Sequence, residues 1–301
     1  MKARVTLMFL LGASGTEPAV ASPFAKVFAA GLTYKKHISD SAEKIDPKGP
    51  VIFVKNPRTV LRAVHSQSVA IPTEKLVYER LDFLKPGLAS EVRAKFDSFP
   101  MMLDYEGELG ILITRALTKT DLLKDSLENS VAFFSANDLS LRSVQILGDQ
   151  QPNKLDYWST AKSFSGFLPY SDPARVKTFS LSHWPLLTIR TLVNGEVRQQ
   201  DTTADIVKAY TPRAMLTVLL QKSGGDSIPA GTALLTGTPS GTALKINRFK
   251  KFLGGVLRYS PVKKLDTVAE EALKNPDYLK VGDEVVVEIP GVGANRIVIT
   301  K

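Results

Sequence analysis

A mainly β, α+β fold is predicted by three features of this chain. Apolar runs rich in Val, Ile and Phe recur at short intervals, Asn194-Gly195 forms a hairpin signal between two of them, and strands do not alternate regularly with helices. Regular alternation would instead signal a doubly wound parallel sheet. With 301 residues, 44% of them hydrophobic and 23% charged, the chain has the length and composition for a sizeable core.

The elements follow in order. "AKVFAAGLTY" from Ala25 to Tyr34 reads as a strand ending in a Gly turn, and a short helix then carries "KKHISDSAEK". "PVIFVKNP" is a strand closed by Pro57. Residues 73–99 have helical spacing, broken at Pro86-Gly87. "FPMML" and "ILITRAL" flank "DYEGELG", residues 104–110, and predict a strand there. Residues 121–145 pass from a polar linker into an apolar strand, then a turn or helix start at Asn137-Asp138. "HWPLLTIRTLVNGEVRQQ" is the hairpin, "DIVKAYTPRAMLTVLLQK" an amphipathic helix, and "VGDEVVVEIPGVGANRIVIT" a closing strand-turn-strand.

At the N-terminus, "MKAR", the apolar run "VTLMFLLGA" and "AVA" before Ser22 carry the three regions of a secretory signal, although the run is far too short to span a bilayer. Residues 1–26 are therefore read as a leader and 27–301 as one catalytic domain. The expected location is cytoplasmic; removal of residues 1–21 as a signal peptide would make the protein exported.

Composition excludes several chemistries. There is no cysteine, so thiol nucleophiles, disulfides and Cys-zinc sites are absent. The three histidines, His37, His65 and His183, are scattered, which disfavours a His-rich transition-metal site. Any metal should be a hard cation held by oxygen. The formal charge of +9 suits anionic partners, but no nucleic-acid-binding motif accompanies it.

"DYEGELG" poses the chemical question. In a strand, side chains alternate faces, so Asp104, Glu106 and Glu108 point the same way. Carboxylates side by side on a half-buried face repel unless a cation or proton lies between them. Asp138, after the next apolar strand, could supply a third carboxylate beside Glu106 and Glu108. That set suits Mg²⁺ or Mn²⁺, with positions left for water and substrate. By spacing alone the signal is weak, since structural ion pairs explain most E-x-E patterns.

"AGLTYKKH", "LDYEGELGILI", "FFSANDLSLRSVQ", "AKSFSGFLP", "VNGEVRQQDTTADIV", "LLTGTPSG" and "LKVGDEVVVEIPGVGANRIVI" occur in this order. Together they resemble the fumarylacetoacetate hydrolase family from about Val27 to Lys301. The resemblance implies a β roll or sandwich of mixed sheets with a few helices, a homodimer, and one divalent cation, Mg²⁺ or Mn²⁺, on Glu106, Glu108 and Asp138. Asp104 would then be a neighbour of the cation site. The implied substrates are small 2-oxo acids, and the leading expectation is hydrolysis of the C–C bond of acylpyruvate-type 2,4-dioxo acids. Decarboxylation, isomerisation or hydration of related acids is the alternative within the family. A non-catalytic anion-binding protein is the remaining reading.

Such an acid chelates a metal through its carboxylate and 2-oxo oxygens, which stabilises the pyruvate enolate as leaving group. His37 is the expected base, with an ordinary pKa near ~6.5, and Asp40 sits three residues on along the same helical face. Lys162 and Gln145 match family positions facing the attacked carbonyl. Arg142 matches the substrate-binding arginine, and Thr238 is expected to donate to the substrate carboxylate. The match departs from the family at four places. Thr33 replaces the usual Asn, Asp40 the usual Glu, and Ser143 and Ser165 stand where Asp is common.

Two insertions are expected, near residues 70–100 and at 244–264. The second holds seven basic residues and no acidic one, with Phe249, Phe252, Leu253, Val256 and Leu257 on one helical face. It reads as a lid or dimer-contact segment in preference to a helix lying on a membrane surface.

Overall fold

A computed structural model describes residues 23–41, 45–46, 49–245, 259–272 and 274–301, with the backbone alone at residues 40 and 41. The leader up to residue 22, the Asp40 side chain and the apolar face expected at residues 249–257 lie outside the described residues. The fold is the mainly β, mixed α+β architecture the sequence predicts.

Two sheets carry the structure. The larger has β2 (Val51–Lys55), β1 (Lys26–Gly31), β15 (Thr232–Leu235), β6 (Gly107–Ile113), β8 (Ser126–Asn137), β10 (Leu168–Tyr170) and β3 (Val60–Arg62) in that order. A further strand, β11 (Ala174–Ser180), also pairs with β8. The smaller sheet runs β13 (Glu196–Thr202), β12 (Thr188–Val193), β16 (Glu284–Ile289), β17 (Gly293–Thr300) and β4 (Gln67–Ala70). Both are mixed: β1 runs parallel to β15, and β17 parallel to β4, among antiparallel neighbours.

The strands form where apolar side chains have two faces to bury. Ile111 and Ile113 of β6 and Val131 and Phe133 of β8 are buried in one cluster with Phe28, Leu216 and Ile289. Phe24, ahead of β1, stacks on Phe134 and meets Tyr170 edge-on. A third cluster gathers α2 (Glu74–Leu84), α3 (Leu88–Arg93), α4 (Arg142–Gly148), α5 (Lys154–Ala161) and α7 (Pro261–Ala272). The break at Pro86-Gly87 falls between α2 and α3, where Gly87 takes the left-handed conformation at φ 84°. Among the described residues, no helix is long and apolar enough to cross a membrane.

Two element boundaries differ from expectation. The helix predicted over residues 205–222 begins at Pro212 as α6 (Pro212–Lys222). There Thr211 caps the N-terminus by accepting from the Ala214 N–H, and Pro212 fits the first turn without needing a donor. The strand predicted over residues 104–110 is interrupted. Leu103 and Asp104 form β5 against β9 (Ser140–Leu141), and pairing resumes at Gly107 opposite Asn137. Between them the Asn137 side chain accepts from the Glu106 N–H, and the Asp138 N–H donates to the Glu106 carbonyl. A side chain thus takes a place in the ladder, and Asp104 falls in a separate short pairing, outside the row of Glu106 and Glu108.

Candidate metal centre

Pairing of Gly107 with Asn137 brings the three carboxylates together. Glu106, Glu108 and Asp138 are 5%, 1% and 1% exposed, and each offers an oxygen within 4.8 Å of the others. Glu106 and Glu108 lie two residues apart across Gly107, so their side chains share a face. The loop after β15 continues alongside this strand, the Thr236 N–H donating to the Leu109 carbonyl. Gly237 donates its N–H to Glu108 Oε2 at 2.7 Å, at φ 94°. A Cβ at Gly237 would lie 2.0 Å from Thr33 Oγ1, so glycine is required there. Thr33, where the family pattern has Asn, donates its hydroxyl to the Thr236 carbonyl at 2.7 Å and so holds the same loop.

Cationic side chains enclose the cluster. Lys162 Nζ lies 2.6 Å from Glu106 Oε2, 2.8 Å from Asp138 Oδ2 and 2.7 Å from Ser140 Oγ. Lys55, at the end of β2 and wholly buried, donates to Asp138 Oδ1 and to the Lys162 carbonyl. Arg142 bonds Asp104 Oδ2 at 2.7 Å through Nε and Gln145 Oε1 at 2.9 Å through Nη1. Its Nη2 lies 2.6 Å from Glu106 Oε1 but outside hydrogen-bond geometry. Asp104 also accepts from the N–H groups of Tyr105, Ala243 and Leu244, which explains its place outside the triad.

Electrostatics divides the acids. Burial and the neighbouring Asp138 and Glu106 push the Glu108 carboxyl well above its ordinary range. Burial acts on Glu106 in the same direction, but Arg142, Lys162 and His37 overcome it and hold Glu106 down to about 2. Lys162 is desolvated too, yet Asp138 and Glu106 raise it and keep it charged. Burial outweighs Asp138 at Lys55, whose pKa is lowered. Three buried carboxylates with one pushed toward its neutral form make a donor set short of positive charge. All-oxygen, compact and anionic, it fits a hard divalent cation.

His37 sits on α1 (Lys35–Ser41), partly buried, within electrostatic reach of Glu106, Arg142, Lys162 and Asp104. Burial lowers its pKa from 6.5, so the imidazole is neutral at neutral pH. Asp40 follows it by three residues on the same helix. Gln145 reaches the cluster through Arg142. Thr238 is 3% exposed; its hydroxyl donates to the Gly107 carbonyl at 3.1 Å and accepts from Gln199 Nε2 at 2.9 Å. Donation from that hydroxyl to a substrate carboxylate therefore requires release of the Gly107 bond.

Lys55, Ser140 and Gln199 escape the sequence reading. A lysine ending the apolar strand "VIFVK" is a usable signal, because lysine is almost never fully buried without a partner. Ser140 and Gln199 carry none, being ordinary polar residues in a turn and a hairpin strand.

An interrupted pair of strands, a buried carboxylate triad and a cationic rim make a compact, oxygen-lined site that fits a hard cation. The family follows from the whole chain. The profile described as fumarylacetoacetate (FAA) hydrolase C-terminal matches residues 26–300, and the chain belongs to this family. It is similar to oxaloacetate tautomerase YcgM of Escherichia coli (strain K12), 31% identical over 230 residues that cover 73% of this chain and 83% of that protein. The 4-hydroxyphenylacetate degradation bifunctional isomerase/decarboxylase of Salmonella dublin is 27% identical over 274 residues, 90% of this chain but 46% of that protein. In fold the chain resembles fumarylpyruvate hydrolase from Pseudomonas aeruginosa in complex with Mn²⁺ and pyruvate. The TM-score is 0.60 at 17% identity, covering 96% of this chain and 93% of that one.

Proposed function

We propose that residues 27–301 form a divalent-metal-dependent enzyme of small 2-oxo acids, whose chemistry passes through the enol form of the substrate. The observation that carries this reading is the buried triad of Glu106, Glu108 and Asp138, with Lys162 and Arg142 ion-paired to it. Keto–enol tautomerisation or isomerisation is favoured over C–C cleavage by the 31% identity to the E. coli oxaloacetate tautomerase.

When bound to the triad, Mg²⁺ or Mn²⁺ supplies Lewis acidity to the carboxylate and 2-oxo oxygens of the substrate. His37, kept neutral by burial, takes a proton from the carbon next to the oxo group and delivers it to the oxo oxygen, so that keto becomes enol, and the reverse transfer restores the keto form. Asp40 orients His37, as the resemblance implies. Lys162 stays charged and answers the negative charge that develops on the oxo oxygen. Arg142, with Nη2 outside any hydrogen bond, is the side chain to grip the substrate carboxylate, and Gln145 steadies it.

Hydrolysis of acylpyruvates remains as a second reading, supported by the same neutral His37, which would serve equally to activate water for attack on the distal carbonyl. The assay follows enol absorbance of oxaloacetate and of a panel of acylpyruvates with Mg²⁺ or Mn²⁺, then with EDTA. Metal-dependent equilibration of oxaloacetate with mass unchanged supports tautomerisation; two acid products from an acylpyruvate support hydrolysis. Glu106→Gln and Asp138→Asn are expected to lose either activity at least 100-fold with circular dichroism unchanged. Full activity in EDTA or in these variants overturns the reading. A homodimer is part of the proposal and is read by light scattering.

A further inference from the structure

Gln199 lies outside the carboxylate cluster, on the other sheet, and is 1% exposed. Its amide makes four hydrogen bonds. Oε1 accepts from the Gly107 N–H at 2.9 Å and from Thr191 Oγ1 at 2.8 Å. Nε2 donates to Thr238 Oγ1 and to the Pro239 carbonyl, each at 2.9 Å. This orientation is forced, because a backbone N–H only donates and a carbonyl only accepts. A flipped amide would break both contacts.

The partners are not arbitrary. Gly107 is the residue between Glu106 and Glu108, and its carbonyl is in turn held by the Thr238 hydroxyl at 3.1 Å. Both polar groups of Gly107 are thereby fixed, one by Gln199 and one by a side chain that Gln199 holds. A Cβ at Gly107 would lie 2.2 Å from Thr191 Oγ1, so the strand is pressed against the second sheet at this point. One buried amide ties together the strand that carries two carboxylates and the loop that donates to Glu108.

We propose that Gln199 is a positioning residue for the cation site, acting through Gly107 on Glu106 and Glu108 and through Thr238-Pro239 on the adjoining loop. The proposal rests on the metal-centred reading above. Removing partners that orient ligands commonly weakens metal affinity about 10- to 100-fold.

The test is Mn²⁺ binding alone, by calorimetry, to the full chain and two variants. Gln199→Met keeps the volume and loses all four bonds; Mn²⁺ affinity is expected to fall about 10- to 100-fold. Gln199→Glu keeps an oxygen for the Gly107 N–H and loses the donors to the loop. It is expected to bind Mn²⁺ no more weakly than the wild type, with weaker binding of pyruvate to the Mn²⁺-loaded protein. General damage to the core would weaken both variants alike, and that outcome overturns the proposal, as does undiminished affinity in Gln199→Met. If Gln199→Met does not fold, Gln199→Glu decides, since loss of Mn²⁺ affinity there contradicts action through Gly107. A wild type that binds no Mn²⁺ would remove the metal-centred reading itself, and the role of Gln199 with it.

Discussion

Replacing Lys162 with Met should destabilise the metal-free protein far more than the metal-loaded one. The ammonium is 3% exposed at the residue level and sits within 2.8 Å of carboxylates on both Glu106 and Asp138. Taking one partner out of a buried ion pair leaves the other charge uncompensated and costs about 3–5 kcal/mol. Here two acids each lose a partner, while Arg142 still faces Glu106 and Lys55 still bonds Asp138, so the whole of that range applies. A melting entropy of about 2.1 cal/mol/K per residue over a chain of 301 residues gives about 0.6 kcal/mol per degree. The melting temperature in EDTA should therefore fall by about 5–8 °C. A divalent cation on the triad supplies the missing charge, so with saturating Mn²⁺ the gap between variant and wild type should narrow to less than half. Differential scanning calorimetry under the two conditions reads both numbers. Equal losses with and without Mn²⁺ would refute the reasoning, because they would mean that the cation does not share carboxylates with Lys162.

Two further outcomes follow from the geometry. Burial holds His37 below 6.5, so the neutral, proton-accepting form persists under mild acid and the acidic limb of kcat/KM should lie below pH 6.5. The unfolded histidine binds its proton first as pH falls, so the His37 contribution to stability is complete above about 6.5 and drains away below it; His37→Asn should remove that slope, and a limb at or above 6.5 would contradict the assignment. Gly107→Ala places a methyl 2.2 Å from Thr191 Oγ1 and 3.2 Å from Val287 Cγ1. Overpacking of this kind costs about 1–3 kcal/mol, and Thr191→Ala in the same chain should recover part of it in urea unfolding; full stability of Gly107→Ala alone would show that the sheets are not pressed together there.

The triad was legible because it breaks a rule visible in one dimension. Acidic residues at alternate positions between "FPMML" and "ILITRAL" contradict a half-buried strand unless positive charge meets them, and an ordered set of motifs added Asp138. What period-2 reasoning missed was Asp104. It assumes an unbroken ladder, whereas the Asn137 side chain takes a rung and turns Asp104 toward Arg142. Lys55 and Gln199 reach the cluster from residues far apart in the chain, 83 positions from Asp138 and 92 from Gly107. No local pattern encodes such pairings. They follow from tertiary packing, since β2 is the edge strand of the larger sheet and β13 belongs to the smaller one.

Charge balance explains why a fold would bury so many ionic groups here. Asp104, Glu106, Glu108 and Asp138 meet Lys55, Arg142 and Lys162 out of contact with bulk water. Without a metal the cluster has one negative charge more than it can pair, and the strain falls on Glu108, where burial and two acids favour a bound proton. A divalent cation in place of that proton turns the balance to one net positive charge. The cluster is then complementary to a singly charged carboxylate whose 2-oxo oxygen lies beside it. Apolar residues of the same size would stabilise the fold at least as well, since desolvating ions offsets most of their attraction. The arrangement fits the proposed reading of a preorganised field for an oxo acid, in which Gly107, Gln199 and the Thr33-tied loop would hold the carboxylates against their own repulsion.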